Sequence, residues 1–251
     1  MGPTAHDDVN VFLGQLHGNQ RAVLGDWLVG LYLGGSLALG DFNPESSDID
    51  FTAVTRDELP PELVGELEQM HARLWAGGTK WARKLDGSYV PQQVFRRWTP
   101  DHAPCPFVEG NEFYLTQQGS AVIQRHILRA RGVVVGGPEP HTLLDPVEAP
   151  ELRGAVQDML ARWWRPLLDD SGWLRQESKQ PFAVLTMCRM LYTHEQGAVV
   201  SKPVAAQWGR QAIDGRWGGL IDWALARPHA AGIDHLAATL GLVAYTVDRC
   251  T

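Results

Sequence analysis

The sequence predicts an α+β protein in which a mixed sheet with helices is followed by an all-helical bundle. In the first half, short apolar runs bounded by glycines alternate with segments of helical spacing, a pattern typical of strands and helices in one domain. After Pro150, the apolar residues recur at helical spacing with few strand signals. Between the halves, Gly136-Gly137-Pro138 is a clear break in secondary structure. We therefore predict a sheet-containing domain over residues 1–145 and a helical domain over residues 146–251.

Apolar periodicity, glycines and prolines predict the individual elements. In chain order, the first domain has a helix in the early part of residues 7–24, a strand over 27–33, a short helix at the Gly-Ser pair, a strand over 48–54, a helix over 60–76, a strand over 90–98, a helix over 117–131 and a short strand over 133–135. The second domain has helices over residues 152–168, 181–196, 203–213, 216–227 and 230–249.

Composition argues against several functional classes. A formal charge of −7 over 251 residues argues against a nucleic-acid partner, which needs a concentrated basic surface. Runs of about 18 apolar residues are absent from the sequence, so no membrane span is predicted. The first residues lack the basic start and apolar run of a secretion signal. Three distant cysteines, Cys105, Cys188 and Cys250, favour neither a disulfide framework nor a zinc site, which fits the reducing cytoplasm.

Two aspartates, Asp48 and Asp50, stand two positions apart in a predicted strand. Side chains at i and i+2 of a strand point to the same face, so the two carboxylates lie side by side. Like charges at this distance are unfavourable unless a cation compensates them. Mg²⁺ takes oxygen ligands of this kind and usually binds one or two carboxylates together with substrate phosphates. The pair therefore predicts magnesium-assisted chemistry at a phosphate.

The Gly35-Ser36 pair follows the first predicted strand and begins a short helix. Glycine lets backbone N–H groups approach a phosphate, and the N-terminus of a helix favours an anion. The Ser36 hydroxyl can donate one more hydrogen bond. Asp48 follows Ser36 by twelve positions, and the intervening loop returns the chain so that the two lie near each other. Each motif alone is weak, but their order along the chain favours a phosphate site.

Three stretches of the chain carry a resemblance to a known family. Residues 33–51, which contain both motifs, resemble the signature of the polymerase-beta-like nucleotidyltransferases. Within that superfamily the chain looks like the aminoglycoside (3″)-adenylyltransferases, which confer streptomycin and spectinomycin resistance. Residues 185–208 are similar to the helical-domain pattern of that family, and residues 131–138 to its domain junction.

The resemblance implies a nucleotidyltransferase domain followed by a helical bundle, with ATP as co-substrate and two Mg²⁺ ions bound between them. It implies that an antibiotic hydroxyl attacks the α-phosphorus of ATP and that pyrophosphate leaves. We expect a monomeric cytoplasmic enzyme whose partners are the nucleotide and a small-molecule acceptor.

Motif matching carries the family's site residues onto this chain. Asp48 and Asp50 become metal ligands, and the Gly35-Ser36 pair becomes a triphosphate contact. Arg189 and Lys202 become nucleotide-phosphate contacts from the helical domain, where two cations can close over a triphosphate.

The family also has a third acidic residue on a later strand, where it serves as base and metal ligand. Asp86 is the candidate here, although the family usually has Glu, and the Asp86-Gly87 pair is also typical of a turn. Glu109 and Glu112 are the alternatives.

The acceptor is specified less closely than the reaction. Trp173 can offer a stacking surface and Glu177 an acidic contact for a cationic drug, but Arg175 and Lys179 depart from the family's acidic pattern. The alternatives are a nucleotidyltransferase that acts on another small molecule or a protein, and a non-catalytic nucleotide-binding relative.

Overall fold

The computed structural model describes residues 2–99, 101–117, 121–176, 178–226 and 234–251. The chain divides into two compact units, Met1–Pro146 and Val147–Thr251. The first unit combines strands and helices and the second consists mainly of helices, which confirms the α+β class.

The first unit contains a six-stranded sheet with helices. Its elements are α1 (Asp7–Leu24), β1 (Leu28–Leu33), α2 (Gly35–Leu39), β2 (Ile49–Thr55), α3 (Pro61–Ala76), β3 (Leu85–Pro91), α4 (Gln92–Arg96), β4 (Cys105–Glu109), β5 (Glu112–Thr116), α5 (Ala121–Arg131), β6 (Val133–Gly136) and α6 (Pro140–Leu143). The strand order is β5-β4-β3-β2-β1-β6. Among the described strands, the β2–β3 pair is parallel and the other pairs are antiparallel, so the sheet is mixed as predicted.

Two apolar clusters cover the two faces of this sheet. On one face, Phe51 and Leu85 pack with α1 and α3 through buried residues such as Leu13 and Leu67. On the other face, a smaller cluster contains Tyr32, Val54, Phe95, Leu128 and Leu143 from the strands and from α4, α5 and α6. Even-numbered residues of β2, including Asp50, point to this second face because strand side chains alternate.

One predicted strand is wrong. The strand lies at residues 85–91 rather than 90–98, and residues 92–96 form helix α4. Pro91 has no N–H to donate to a ladder, so it ends β3 and precedes the first turn of the helix. The antiparallel hairpin of β4 and β5 is an addition that the sequence did not predict.

Gly87 explains why an Asp-Gly pair stands inside a strand. A Cβ atom at this position would lie 2.3 Å from both the Phe51 Cδ1 atom and the Phe51 carbonyl oxygen. The pair therefore serves close packing between β2 and β3 rather than a turn. Asp86 consequently lies on a regular strand.

The second unit is organised around one long buried helix. Its elements are α7 (Ala149–Met159), a π-helical turn (Leu160–Trp164), α8 (Pro166–Asp169), α9 (Lys179–Gln196), α10 (Lys202–Ala212), α11 (Gly218–Leu225) and α12 (Leu236–Cys250). Helix α9 packs against α7, α10, α11 and α12. Its buried residues include Val184, Met187 and Leu191. Within the described ranges, none of the helices is both long and apolar enough to cross a bilayer.

Candidate active site

A row of acidic residues crosses the sheet of the first unit. Asp50 on β2 pairs with Asp86 on β3, Asp86 pairs with Glu109 on β4, and Glu109 pairs with Glu112 on β5. Residues paired across neighbouring strands point to the same face, so the four side chains lie side by side. Asp50 and Asp86 are half-buried, whereas Glu109 and Glu112 are exposed. The register thus brings Asp86, the predicted third carboxylate, directly beside Asp50.

Asp48 lies one residue before β2 and is exposed. It therefore stands at the end of the strand rather than within it. Its charge still acts on the row, because it is among the groups that raise the pKa of Asp86. The two aspartates of the motif thus flank Ile49, which is fully buried and fixes the start of the strand in the core.

The environment of Asp86 perturbs its carboxyl group. Burial raises the pKa of its carboxyl group from the ordinary value of 3.8 to about 7, and the neighbouring carboxylates of Asp50, Glu109 and Asp48 contribute further. A carboxyl group with a pKa near 7 can take a proton from a reacting hydroxyl at neutral pH. The same crowding of negative charge is what a bound cation would relieve.

The Gly-Ser loop is built around the Asp50 carboxylate. Gly35 has φ of +49°, and a Cβ atom there would lie 1.8 Å from the Asp50 Oδ2 atom. The Gly34 N–H donates to the Asp50 backbone carbonyl oxygen over 2.9 Å. Glycine at position 35 is therefore required both by the backbone conformation and by the close approach of the carboxylate.

Ser36 is the second residue of α2 and is half-buried. Its carbonyl oxygen accepts hydrogen bonds from the backbone N–H groups of Gly40 and Asp41, at 3.0 and 3.1 Å. Gly40 has φ of +78°, which lets the chain leave the helix after a single turn. The short helix predicted at the Gly-Ser pair is confirmed.

The carboxylates of Asp50 and Asp86 are suitable ligands for Mg²⁺. In the described part of the chain, no group of three or more His, Cys, Asp or Glu side chains is placed to hold a metal by itself. Asp50 and Asp86 are nonetheless paired across β2 and β3, and burial followed by the neighbouring carboxylates raises the pKa of Asp86. Magnesium commonly takes one or two carboxylates and completes its shell with water and substrate phosphates. These residues fit such an ion and would require the substrate to complete its ligands.

Arg189 and Lys202 lie in the second unit. Arg189 is in α9 and Lys202 is the first residue of α10, and both are half-buried. The Lys202 Nζ atom lies 4.1 Å from the centroid of the Phe182 ring, and Phe182 is 43% exposed. The Lys202 ammonium group therefore lies over a partly exposed aromatic ring.

Trp173 belongs to an aromatic cluster in the same unit. Its ring centroid lies 6.1 Å from those of Trp163, Trp164 and Phe182, and the Lys179 Nζ atom lies 5.4 Å from it. Trp173 is half-buried, so part of the ring is packed and part is accessible. Glu177, the predicted acidic contact, lies outside the described residues.

Sequence reasoning missed two neighbours of the site. The Gln124 side-chain amide of α5 packs against the Gly-Ser loop, since a Cβ atom at Gly34 would lie 2.1 Å from the amide nitrogen. The Tyr114 hydroxyl on β5 donates to the Glu109 carboxylate over 3.1 Å. Neither residue stands in a motif, and only the packing of α5 and the pairing of β4 with β5 could have revealed them.

Two parts of the chain match known domain families. Residues 142–249 match the C-terminal domain of aminoglycoside adenylyltransferases, and residues 21–86 match the nucleotidyltransferase domain. The second match ends at Asp86 and contains Gly35, Ser36, Asp48 and Asp50.

One solved structure is similar over nearly the whole chain. It is a spectinomycin adenyltransferase, AAD(9), from Enterococcus faecialis, whose crystal structure contains ATP and spectinomycin. The TM-score is 0.74 at 18% sequence identity, and the match covers 94% of this chain and 98% of that chain. At this identity the similarity establishes the fold. Among curated proteins, none matches this sequence.

Proposed function

The two family matches make this chain a nucleotidyltransferase of the aminoglycoside adenylyltransferase family, and from that premise we propose that it transfers AMP from ATP to a hydroxyl of an aminoglycoside-type antibiotic. The observation that carries the proposal is the register that sets Asp86 beside Asp50, one strand away from the Gly-Ser loop. In the transfer, the acceptor oxygen forms a bond to the α-phosphorus. The bond from that phosphorus to the β-phosphate oxygen breaks, and pyrophosphate leaves.

Asp86 is the base of the reaction. It takes the proton of the acceptor hydroxyl as the new bond to phosphorus forms. In the metal-free protein, burial and the carboxylates around it raise the pKa of Asp86 to about 7, so its site favours the protonated form more than an ordinary aspartate's does. Glu109 and Glu112, the other acids of the row, are exposed and farther from the Gly-Ser loop, which favours Asp86 over both.

Asp48, Asp50 and Asp86 hold the magnesium, which we propose as two ions. Bound Mg²⁺ neutralises the phosphate charge and stabilises the charge that develops on the leaving pyrophosphate. The close approach of Gly35 to Asp50 fixes the distance between the phosphate loop and the metal ligands, since no side chain separates them.

The phosphates are held by four groups of this chain. Ser36 and the backbone of the Gly-Ser loop bind them from the first unit. Arg189 and Lys202 of the second unit supply positive charge to the phosphates. Both cations are half-buried, which strengthens their interaction with an anion relative to an exposed side chain.

The acceptor is cationic in this proposal. Glu109 and Glu112 extend the acidic row beyond the metal ligands and give that end of the sheet a negative surface. The accessible part of Trp173 offers a flat surface on which a sugar or a cation can stack. We keep Glu177 as a further acidic contact.

Pyrophosphate release tests the proposal. The protein is incubated with ATP labelled in its adenosine part, Mg²⁺ and a panel that includes streptomycin, spectinomycin and uncharged sugars, and pyrophosphate release is followed with and without each acceptor. The proposal is supported if pyrophosphate release depends on the acceptor and is lost both in Asp48→Asn and when a chelator removes Mg²⁺. Nucleotide binding without release on any acceptor would identify a non-catalytic relative, and a labelled protein band would identify protein modification instead.

A further inference from the structure

A tight turn, the Asn43–Ser47 turn, lies between helix α2 and strand β2. The Asn43 carbonyl oxygen accepts hydrogen bonds from the backbone N–H groups of Ser46 and Ser47, at 3.1 and 2.8 Å. The Asn43 backbone N–H donates to the Ser47 Oγ atom over 3.0 Å, and the Asn43 Oδ1 atom accepts from the Glu45 N–H over 2.9 Å. Backbone and side-chain hydrogen bonds of Asn43 therefore close the turn.

Lys84 binds the middle of this turn from a distant part of the chain. Its Nζ atom donates to the Glu45 carbonyl oxygen over 2.8 Å and to the Pro44 carbonyl oxygen over 3.4 Å. An ammonium group has three N–H groups to donate, and hydrogen bonds from a charged donor are stronger than those from a neutral one. One lysine thus holds two neighbouring carbonyl oxygens of the turn.

The backbone of Lys84 is anchored beside the core of the first unit. Lys84 is the last residue of a short 3₁₀ turn, and its N–H donates to the Trp81 carbonyl oxygen over 3.2 Å. Trp81 and Leu85 are 3% and 2% exposed. The Phe42 ring, one residue before the Asn43–Ser47 turn, lies 5.8 Å from the Trp81 ring. Apolar packing therefore holds the start of the turn, and Lys84 adds a polar contact to its middle.

Lys84 and Asp48 occupy matching positions at the start of two paired strands. Ile49 on β2 pairs with Leu85 on β3 in the parallel register. Asp48 and Lys84 each stand one residue before this pair. Asp86 lies within the ladder, whereas Asp48 precedes it, so the position of Asp48 depends on the turn that leads into the strand. Lys84 constrains this turn against the strand that carries Asp86.

We infer that Lys84 is a positioning residue that holds Asp48 where it can bind magnesium. The inference rests on the proposed function, in which Asp48 is a ligand of the ion. Lys84 acts through the two carbonyl oxygens that it binds in the turn, and the turn sets the place of Asp48 relative to Asp86.

The direction of the effect on magnesium binding separates this role from a role of charge alone. Lys84 and Mg²⁺ are both cations and repel each other. If only the charge of Lys84 mattered, its removal would therefore tighten magnesium binding. If Lys84 positions Asp48, its removal weakens magnesium binding instead.

Hydrogen exchange in the metal-free protein tests whether Lys84 holds the turn. Lys84→Met removes the ammonium group and keeps an unbranched side chain. Exchange of the Ser46 and Ser47 amides should become about tenfold faster, the effect expected for loss of a hydrogen bond from a charged group. Lys84→Arg should restore most of the protection, because a guanidinium also donates to carbonyl oxygens. Lys80→Met is the matched control, since Lys80 lies four residues earlier and pairs with Asp8 at 3.2 Å. It should leave exchange of the turn unchanged.

Magnesium binding tests the second step without any turnover. The increase in the free energy of unfolding with Mg²⁺ concentration at pH 8 gives a dissociation constant for the ion. This constant should rise by about 5- to 10-fold in Lys84→Met and stay within about twofold of the wild-type value in Lys84→Arg and Lys80→Met. Asn43→Ala removes the acceptor of the Glu45 N–H and loosens the turn by an independent route, so it should weaken Mg²⁺ binding as well.

Kinetics give a third measurement. In Lys84→Met, the Mg²⁺ concentration that half-saturates pyrophosphate release should rise by about 5- to 10-fold, whereas kcat at saturating Mg²⁺ and the acceptor KM should stay within about threefold of wild type. A loss of kcat that saturating Mg²⁺ does not restore would contradict the inference.

Four further results would overturn the inference. They are unchanged exchange of the turn in Lys84→Met, unchanged or tighter Mg²⁺ binding in that variant, a wild-type protein that Mg²⁺ does not stabilise, and a raised ATP KM that persists at saturating Mg²⁺, which would make Lys84 a phosphate contact. Failure of the wild-type protein to transfer AMP to any acceptor would overturn the proposed function. The exchange and stability measurements need no acceptor and would still decide the role of Lys84.

Discussion

Asp50 on β2 and Asp86 on β3 are paired directly in a parallel register, and both carboxylates lie on the same face of the sheet. The pairing joins the sequence motif to a residue 36 positions later that shares no local pattern with it. It also accounts for the pKa of Asp86 near 7, since Asp50 is the charge that contributes most to the shift after burial. The following expectations depend on this relationship.

Substitution of Asp86 should separate its role from that of the other acids in the row. Asp86→Asn should lower the rate of AMP transfer by about 10²- to 10⁴-fold, because the amide cannot take the proton of the acceptor. Asp86→Glu should retain more activity than Asp86→Asn. The matched control is Glu112→Gln at the exposed end of the row, which should keep nearly the wild-type kcat at saturating acceptor, since the loss of an acceptor contact affects the acceptor KM. The measurement is kcat for pyrophosphate release, and a larger loss in Glu112→Gln than in Asp86→Asn would contradict the assignment.

The same carboxyl group should make stability depend on pH in metal-free buffer. Below pH 3.8, Asp86 is mostly protonated in both the folded and the unfolded chain, so its ionisation does not lower the free energy of unfolding. As the pH rises towards about 7, the unfolded chain releases this proton while the folded chain retains it, so the free energy of unfolding falls. Above about pH 7 the free energy of unfolding has fallen by its full amount, about 4 kcal/mol at most. Each unit of difference between the folded and unfolded pKa values corresponds to about 1.4 kcal/mol.

Asp86→Asn should therefore be more stable than the wild type at pH 8 and differ much less at pH 4. Urea unfolding at both pH values, with a chelator present, measures the difference. Addition of Mg²⁺ at pH 8 should stabilise the wild type and narrow the gap to the variant. A gap that widens towards acid pH would show that the carboxylate stabilises the fold, contrary to this expectation.

Gly35 should tolerate no side chain. Gly35→Ala places a Cβ atom 1.8 Å from the Asp50 Oδ2 atom and adds the strain of φ +49°. We expect transfer to fall by at least about 100-fold, because displacing a reacting group by about 1 Å can cost that much. Gly40→Ala is the control, since Gly40 has φ of +78° but no atom within 4 Å of its Cβ position. It should cost about 1 kcal/mol of stability and leave most of the activity. Equal losses of activity in the two variants would indicate loop strain rather than contact with Asp50.

Lys202 should contribute to ATP binding. Lys202→Gln should raise the ATP KM by about tenfold, the effect of losing one charge-assisted phosphate contact, and leave the acceptor KM nearly unchanged. Lys179→Gln is the matched control, because Lys179 also lies over an aromatic ring in the same unit, 5.4 Å from the Trp173 centroid. It should leave the ATP KM unchanged. An equal rise in both variants would mean that general positive charge, rather than Lys202 itself, attracts the nucleotide.

Much of the secondary structure follows from local pattern. Helix α3 begins at Pro61 and ends at Ala76 as its prolines and apolar spacing predict, and the strand around Asp50 follows from alternation. The misplaced strand near Val90 and the missed β4–β5 hairpin share a cause. Strands β3 and β4 lie in the sheet because they pair with β2 and β3, which are distant from them in the chain, and local propensity carries little information about such partners.

The sequence by itself determined the α+β class and the Gly-Ser and Asp-x-Asp motifs, because each depends on residues close together in the chain. Only the tertiary structure decided that Asp86 lies beside Asp50, since that pairing depends on the parallel register of β2 and β3 and on Gly87 making room for Phe51. The pKa of Asp86 near 7 likewise depends on burial and on charges from other strands. Electrostatic environments of this kind depend on distance in space, which a sequence specifies only through the fold.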